Sequence, residues 1–261
     1  MSGHSKWATT KHKKAANDAK RSKLWAKLVK NIEIAAKIGG PDPEGNPSLA
    51  DALIKARKQS VPKDNIDRAV KRGAGIGGES ITYEELRYGG MIQGVALIIE
   101  CLTDNKNRAA TDVRTALSKN GGQLSEVASV QFQFDRKGVV IVPKEADVEV
   151  EGQKKPVHKS TDFDTVFEVA LEAGAENAEE IQGENGDGDL EDQFEIVSDP
   201  NDLGAVRNAI KAAGIEYNSA EVVWYANTKV DVDEKTAEKV LNLIDVLEDL
   251  DDVQNVFSNL A

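Results

Sequence analysis

The sequence predicts an α+β multidomain protein: an N-terminal three-helix bundle followed by two ferredoxin-like α+β modules, the second inserted in the first. Three observations lead to this prediction. The chain has 261 residues, more than a typical single domain. Glycine and proline separate three amphipathic helical patterns within residues 1–78, which indicates a small helical bundle. Beyond them, short apolar stretches with strand character alternate with helical patterns.

The first segment contains three predicted helices, at residues 15–38, 48–59 and 62–73. In each of them, apolar residues recur at intervals of three or four and define one inward face. These residues are Leu24, Leu28, Ile32 and Ala35 in the first helix, Leu49, Ala52, Leu53 and Ala56 in the second, and Ile66, Ala69 and Val70 in the third. Glycines at 39 and 40 end the first helix, and Pro62 opens the third, where its missing N–H is not needed.

The rest of the chain follows a glycine-rich joint at residues 73–78. Strands are predicted at 94–102, 130–134, 138–143, 176–181, 193–197, 221–225, 228–232 and 253–257, and helices at 107–119, 162–173, 202–213 and 234–250. The order within 138–225 is β-α-β-β-α-β, which is typical of a ferredoxin-like unit. The flanking pieces give β-α-β twice, and residues 113–121 echo residues 206–214. We therefore predict a bundle at 1–78, a middle domain at 79–137 plus 226–261, and an inserted domain at 138–225.

Charge divides the chain into a basic segment and an acidic body. Residues 1–80 hold 17 Lys/Arg against 8 Asp/Glu, a balance of +9, and the remainder holds 16 against 37, a balance of −21. These sum to the net charge of −12. Basic surface concentrates near phosphates because each neutralised phosphate releases condensed counterions. The asymmetry predicts that the basic segment binds nucleic acid, while the acidic modules repel phosphate and can meet basic proteins.

The cations are densest near the N-terminus, where Asp18 is the one acid among nine of them between residues 6 and 30. Trp7 lies among these cations, and an aromatic ring there can stack on an unpaired base. The candidate nucleic-acid-binding residues are Lys6, Trp7, Lys11, Lys13, Lys14, Lys20, Arg21, Lys23, Lys27 and Lys30. Seven further cations extend this surface: Lys55, Arg57, Lys58, Lys63, Arg68, Lys71 and Arg72. The alternative interpretation is a solvated helix face, with Trp7 packed against the bundle.

No residue pattern predicts catalysis, a cofactor or a metal site. The G-x-G-x-x-G match at 73–78 follows a helix, whereas a dinucleotide fingerprint follows a strand. The three histidines and Cys101 offer no zinc set, and the acidic turn at 184–192 lacks the spacing of a calcium loop. The single cysteine suits a reducing cytoplasm, and apolar runs such as 95–99 are far shorter than the ~20 residues of a membrane span. We expect a cytoplasmic protein that is not an enzyme.

The same residues resemble the YebC/PmpR family, which includes the mitochondrial translational activator of cytochrome c oxidase. The matching stretches are GHSKW (3–7), KHKKAANDAKRSK (11–23), VPKDNIDRAVKRGAG (61–75), ECLTDNKNR (100–108) and FDRKGV (134–139). The resemblance implies three domains around a cleft and a cytoplasmic, non-enzymatic role in gene expression. Members of the family are described both as DNA-binding transcriptional regulators and as ribosome-associated translation factors.

Three functional hypotheses follow. The first is a translation factor that binds structured RNA (rRNA or tRNA) on the ribosome where elongation slows or stalls, with Arg108 as a further contact at a strand-to-helix turn. The second is a transcriptional regulator that binds duplex DNA, with 62–72 as a reading helix that offers Asn65 and Arg68 to base edges. The third is a protein-only scaffold or hydrolase that uses the acidic body.

Overall fold

The computed structural model describes residues 14–76, 82–148, 157–184 and 190–261, with side chains of the first helix described from Arg21 onward. The helices are α1 (Lys14–Gly39), α2 (Pro47–Lys58), α3 (Lys63–Gly73), α4 (Lys106–Lys119), α5 (Val127–Gln131), α6 (Phe163–Glu172), α7 (Leu203–Ala212) and α8 (Glu234–Glu248). The strands are β1 (Glu84–Ile92), β2 (Val95–Thr103), β3 (Gln123–Ser125), β4 (Phe134–Pro143), β5 (Glu145–Val148), β6 (Val157–Ser160), β7 (Ala175–Glu184), β8 (Leu190–Ser198), β9 (Ser219–Ala226) and β10 (Val253–Ser258). This mixture of helices with antiparallel sheets confirms the α+β class.

The chain forms two compact units. One contains the described residues up to Ser129 together with Lys239–Val256, and the other contains Val130–Glu238 together with Phe257–Ala261. The first unit therefore combines helices α1 to α3 with a sheet and most of α8. The domain limits predicted from the sequence differ from this division and stay a prediction.

Helices α1, α2 and α3 pack around one apolar core in the first unit. Its buried members are Ile32, Ala35, Ala36, Leu49, Leu53, Ala56, Val61, Ile66 and Ala69. The side chain of Asn46 caps α2 by accepting a hydrogen bond from the Leu49 N–H at 3.1 Å. Leu24 was predicted to face inward, but it is exposed, and the indole of Trp25 instead donates a hydrogen bond to Gln59 O at 2.8 Å.

Helix α3 approaches α1 closely at Gly73. A Cβ atom at this position would lie 2.2 Å from Glu33 O and 2.8 Å from Ala36 Cβ. Only glycine fits such an approach, because every other residue would push the two helices apart. Gly73 therefore both ends α3 and fixes its distance from α1.

The sheet of the first unit has the strand order β10-β2-β1-β3. Strands β1 and β2 form an antiparallel hairpin that turns at Gln93 and Gly94, both of which have positive φ. Strand β2 is buried along almost its whole length. The C-terminal strand β10 thus joins the sheet built from residues 84–125 and completes it from the far end of the sequence.

The sheet of the second unit has the order β7-β8-β4-β9, and all neighbouring strands are antiparallel. Helices α6 and α7 pack on one face, around a core of Val140, Val142, Val166, Ala170, Ala175, Phe194, Ile196, Val206 and Ile210. A separate hairpin, β5–β6, leaves the end of β4.

Several local features of the structure differ from the prediction. The predicted strand at 130–134 instead contains the end of α5, a turn at 132–133 and the first residue of β4. The predicted strand at 228–232 is a single bridge between Val230 and Leu260. Strand β1 and the β5–β6 hairpin, which contains His158, were not predicted. The centre of the acidic turn (185–189) and part of the glycine-rich joint lie outside the described residues.

Candidate nucleic-acid interface

The predicted binding residues fall into groups with different surroundings. Lys6, Trp7, Lys11 and Lys13 lie outside the described residues, and Lys14 and Lys20 lie on α1 with undescribed side chains. Arg21 is exposed on α1. Lys23, Lys27, Lys30 and Arg108 are described in full and make contacts within the first unit, which change the interpretation of their charge.

Lys23, Lys27 and Lys30 lie on one face of α1 and meet the C-terminal end of α8. Lys23 Nζ donates to Asp249 O at 3.1 Å, and Lys27 Nζ donates to Glu248 O at 2.7 Å. The last turn of α8 contains no basic residue of its own. Because carbonyl groups at a helix C-terminus lack intrahelical partners and carry partial negative charge, lysines from α1 supply the missing donors.

Lys30 is the most enclosed of these lysines, with only 16% of its side chain exposed. Its ammonium group donates to Leu102 O at 2.9 Å, to Asp251 O at 3.2 Å and to Asp252 Oδ1 at 3.4 Å. It therefore joins α1 to both β2 and the segment that follows α8. All of its hydrogen-bonding capacity is used inside the protein.

Asp252 is a buried carboxylate shared by two cations. Arg108 donates to both of its oxygens, from Nε at 3.0 Å and from Nη2 at 3.0 Å, while Lys30 approaches Oδ1. The same guanidinium donates to Asp104 Oδ1 at 2.7 Å. These hydrogen bonds to Asp104 and Asp252 raise the pKa of Arg108, and the bond from Arg108 lowers the pKa of Asp104. Two carboxylates thus hold Arg108 on this surface.

Desolvation changes the pKa of Lys27 more than the neighbouring charges do. Desolvation lowers the pKa of the Lys27 ammonium group, and the nearby charges of Glu248 and Asp249 oppose that shift. A lysine in these surroundings serves to hold α1 against α8. The sequence assigned Lys27, Lys30 and Arg108 to phosphate. In the structure, Lys27 donates to a backbone oxygen beside acidic residues, and Lys30 and Arg108 both contact the carboxylate of Asp252.

The residues that sequence analysis missed are the partners of these lysines, at positions 248–252. A signal was present, because the sequence Glu-Asp-Leu-Asp-Asp ends a predicted helix that has no terminal cation. Lysines at 23, 27 and 30 have the spacing of one helical face that could match it. The separation of more than 200 positions along the chain hides the pairing.

Helices α2 and α3 carry a second set of cations, which lie on the surface. Arg57, Lys63 and Lys71 are exposed, and none of them has an ion pair or side-chain hydrogen bond in the described part of the chain. Asn65 and Arg68, the two candidate base-reading residues of α3, are instead bonded to each other, because Arg68 donates to the side-chain oxygen of Asn65. Arg68 Nε also donates to Asp64 O at 3.2 Å.

A polar cluster fixes the last cation of α3. The buried carboxylate of Glu33 accepts from Arg72 at 2.6 Å and from the hydroxyl of Tyr83 at 3.3 Å. Desolvation, followed by the charge of Glu33, raises the pKa of Tyr83. Lys30 Nζ lies 5.4 Å from the centre of the Tyr83 ring. Glu33 on α1 therefore connects to Arg72 of α3 and to Tyr83 in the chain entering β1.

Metal-binding clusters and membrane-spanning helices are absent from the residues that the structure describes. Within 14–76, 82–148, 157–184 and 190–261, no group of His, Cys, Asp and Glu is arranged to hold a metal ion. Burial raises the pKa of the Cys101 thiol to about 12. No helix in the described ranges is sufficiently long and apolar to span a membrane.

Comparison with known proteins identifies the family. Residues 5–76 match the family model described as the TACO1/YebC protein N-terminal domain, and residues 83–260 match the model described as the TACO1/YebC second and third domain. A probable transcriptional regulatory protein of Acidothermus cellulolyticus is 54% identical over 260 residues, covering 99% of this chain and 96% of the relative. One from Salinispora tropica is 55% identical over 260 residues, covering 99% and 95%.

A solved structure extends the comparison to three dimensions. The crystal structure of a conserved hypothetical protein from Aquifex aeolicus is similar with a TM-score of 0.78 and 37% sequence identity. The match covers 98% of this chain and 96% of that chain. With both family models and these full-length relatives in agreement, the chain belongs to the TACO1/YebC family.

Proposed function

We propose that this protein is a non-enzymatic, nucleic-acid-binding regulator of gene expression. The observation that carries the proposal is the set of exposed cations on α2 and α3, which continues the basic composition of residues 6–30. The names of its relatives, probable transcriptional regulatory proteins, support a regulatory role. Contacts from lysine and arginine to phosphates give affinity without sequence selection.

The proposed contact residues are narrower than the set taken from the sequence. They are Lys6, Trp7, Lys11, Lys13, Lys14, Lys20 and Arg21, extended by Arg57, Lys63 and Lys71. The proposal leaves out Lys27, Lys30 and Arg108, because their donors are bound to oxygens of the chain itself. Lys23 is intermediate, since it contacts Asp249 but remains partly exposed.

The favoured form of the proposal is a cytoplasmic translation factor that binds rRNA or tRNA on the ribosome when elongation slows or stalls. Exposed cations that contact phosphates suit folded RNA, because the RNA backbone presents many equivalent phosphates. The hydrogen bond from Arg68 to Asn65 also supports it, because it occupies two groups that a DNA-reading α3 would present to base edges. The acidic residues Asp64 and Asp67 on the same helix would face phosphate in a DNA complex.

The alternative is a transcriptional regulator that binds duplex DNA. The names of the relatives favour this form. In it, α3 enters the major groove after the Arg68–Asn65 hydrogen bond has been exchanged for contacts to bases.

The architecture predicted from the sequence belongs to the same proposal. We propose that residues 138–225 are a ferredoxin-like domain inserted in a second α+β domain. The strand order β7-β8-β4-β9, with α6 and α7 on one face, supports the ferredoxin-like layout. The place of β10 beside β2 supports the insertion. In this proposal the strongly acidic inserted domain binds basic proteins.

The test is co-sedimentation with ribosomes at rising salt, in the presence and absence of competing duplex DNA. Retention on ribosomes despite excess DNA supports translation, and transfer to DNA supports transcription. If about six phosphates are engaged, the slope of log K against log salt is about −4 to −5. Binding that does not depend on salt contradicts both forms.

Charge reversal identifies the contact surface. The variant Lys11→Glu/Lys13→Glu/Lys14→Glu should lose binding. The matched control, Lys211→Glu/Lys235→Glu/Lys239→Glu, makes the same change in net charge at exposed positions on α7 and α8. Equal losses in the two variants would show that net charge, and not the basic segment, governs binding.

A further inference from the structure

Helix α6 carries an apolar row that its own domain does not cover. Phe163, Phe167 and Leu171 follow one another at four-residue intervals and so lie along one line on the helix. Phe163 anchors this line, because its ring packs edge-on against the buried Phe194 at 5.5 Å. The line then leaves the core, with Phe167 36% exposed and Leu171 54% exposed.

The exposed part of this row is held in a fixed shape. The rings of Phe163 and Phe167 stack with centroids 5.9 Å apart and an interplanar angle of 16°. Val166 and Ala170 are fully buried beneath them and fix the rotation of the helix. The apolar surface is therefore presented by a rigid element and does not depend on a mobile loop.

An acidic row runs directly beside the apolar row. Asp164, Glu168 and Glu172 are exposed and also follow one another at four-residue intervals, one position after the apolar residues. None of these three carboxylates has an ion pair or hydrogen bond in the described part of the chain. Their surroundings strengthen the charge, because residues 138–225 hold 6 Lys/Arg against 21 Asp/Glu, a balance of −15.

We propose that this face of α6 is the docking site for a basic amphipathic helix of another protein. The row formed by Phe163, Phe167 and Leu171 receives the apolar side of that helix, and the row formed by Asp164, Glu168 and Glu172 pairs with its lysines and arginines. Nucleic acid is excluded as the occupant because its phosphates would meet three carboxylates in a strongly negative domain. This inference rests on the part of the proposed function that directs the inserted domain to basic proteins, and it names the surface involved.

The test uses the full chain and a defined probe, a fluorescein-labelled 18-residue helical peptide of leucine and lysine with its leucines on one face. A peptide of the same composition with scrambled order serves as its control. Fluorescence anisotropy should show at least tenfold weaker binding for Glu168→Lys/Glu172→Lys. The matched control, Glu216→Lys/Glu238→Lys, changes net charge equally at exposed positions off α6 and should change binding less than threefold. Equal effects of the two variants, or equal binding of the two peptides, would overturn the proposal.

The apolar row is tested separately. Leu171→Ser should weaken peptide binding about fivefold, whereas Ile54→Ser, at a residue 43% exposed on α2, should leave it unchanged. Circular dichroism of both variants should show the helix content of the wild type. A Leu171→Ser protein that binds the peptide like the wild type would overturn the apolar half of the site.

Two other occupants are separated by the same measurements. If Lys11→Glu/Lys13→Glu/Lys14→Glu binds the peptide tenfold more tightly, the basic segment of this chain occupies the face, and the external partner is refuted. If sedimentation shows a dimer that Leu171→Ser abolishes, a second copy occupies it, which equally refutes the proposal. RNA binding by the α6 variants is measured in parallel. Loss of peptide binding with RNA binding intact separates this site from the proposed nucleic-acid interface.

Discussion

The lysines of α1 and the cations of α2 and α3 look alike in the sequence but have different surroundings in the structure. Lys27 and Lys30 donate to backbone oxygens at the end of α8 and in β2. Arg57, Lys63 and Lys71 are exposed instead. Both groups lie within the basic first segment, and both would be counted equally in a charge balance.

The comparison shows that a run of lysines in a sequence predicts a surface that binds negatively charged groups. It does not show whether those groups belong to the same chain or to a partner. For α1 the nearest acceptors belong to the protein itself, because α8 ends beside acidic residues and in carbonyl groups that lack intrahelical partners and accept from the lysines. Some cations of the first segment therefore maintain the fold of the first unit, whereas others are exposed and available to a partner. Variants whose stability and nucleic-acid binding are measured separately test this difference between the two groups of cations.

The largest effect is expected for Lys30→Glu. This change places a carboxylate beside Asp252, whose side chain is only 6% exposed, and removes the donor to Leu102 O. Leaving buried charge uncompensated costs about 3–5 kcal/mol. Differential scanning calorimetry should show a Tm lower by about 10 °C, on the scale of roughly 2–4 °C per kcal/mol for a chain of this size.

The control for this change is Lys63→Glu, the same substitution at an exposed site on α3. Surface substitutions of this kind change stability by about 0.5 kcal/mol or less. A second variant, Lys30→Met, keeps the apolar stem and should cost about 1–3 kcal/mol, because Arg108 still holds Asp252. Similar Tm values for Lys30→Glu and Lys63→Glu would contradict a structural role for Lys30.

The next effect concerns the close approach of α3 to α1. Gly73→Ala introduces a methyl group 2.2 Å from Glu33 O, so the helices must separate. Such overpacking costs about 1–3 kcal/mol, measured by urea unfolding. Gly204→Ala on α7 is the control, since its methyl group meets nothing within 4 Å, and it should be neutral or stabilising by up to about 1 kcal/mol. A stable Gly73→Ala protein would show that this approach is not required.

A smaller effect, on binding and not on folding, is expected for Arg57→Glu/Lys63→Glu/Lys71→Glu. If each residue neutralises one phosphate, affinity for a labelled RNA hairpin should fall about tenfold or more, and the salt slope should decrease by about 2–3. The Tm should stay within about 2 °C of the wild-type value. The triple variant Lys211→Glu/Lys235→Glu/Lys239→Glu, with the same charge change, is the comparison. An unchanged salt slope would remove α2 and α3 from the interface.

The sequence predicts the helices of the first segment well and the strands of the rest less well. The limits of α1, α2 and α3 agree with prediction to within one residue, because Gly39, Pro62 and Gly73 mark their ends locally. Strand β1 was missed because it contains Gly89 and Gly90 and begins with exposed polar residues, so that it lacks a clear alternation. The register that pairs it with β2 comes from tertiary contacts.

The candidate interface is less predictable than the fold, for a physical reason. The pattern of lysines at 23, 27 and 30 is local, but their partners at 248–252 are brought to them only when α8 packs in the first unit. Composition indicates that anions are needed and does not say whether the chain supplies them. The resemblance indicated the family of the chain but carried no information on these contacts.

The smallest effect is expected where an ion pair is fully exposed, at the β5–β6 hairpin. The imidazole Nδ1 of His158 lies 3.0 Å from Asp147 Oδ1, and this hydrogen bond, with the charge of Glu145, raises the pKa of His158 above its ordinary value of 6.5. Because the folded-state pKa is the higher one, the contribution to stability is complete below the unfolded pKa and is lost as the pH rises through the folded pKa. Solvent screening keeps this contribution small compared with that of Lys30.

An NMR titration of the imidazole protons of His158 should give a pKa above 6.5. Asp147→Asn should lower this pKa, while the remote change Glu216→Gln should leave it unchanged. A His158 pKa that Asp147→Asn leaves unchanged would show that the carboxylate of Asp147 does not stabilise the imidazolium.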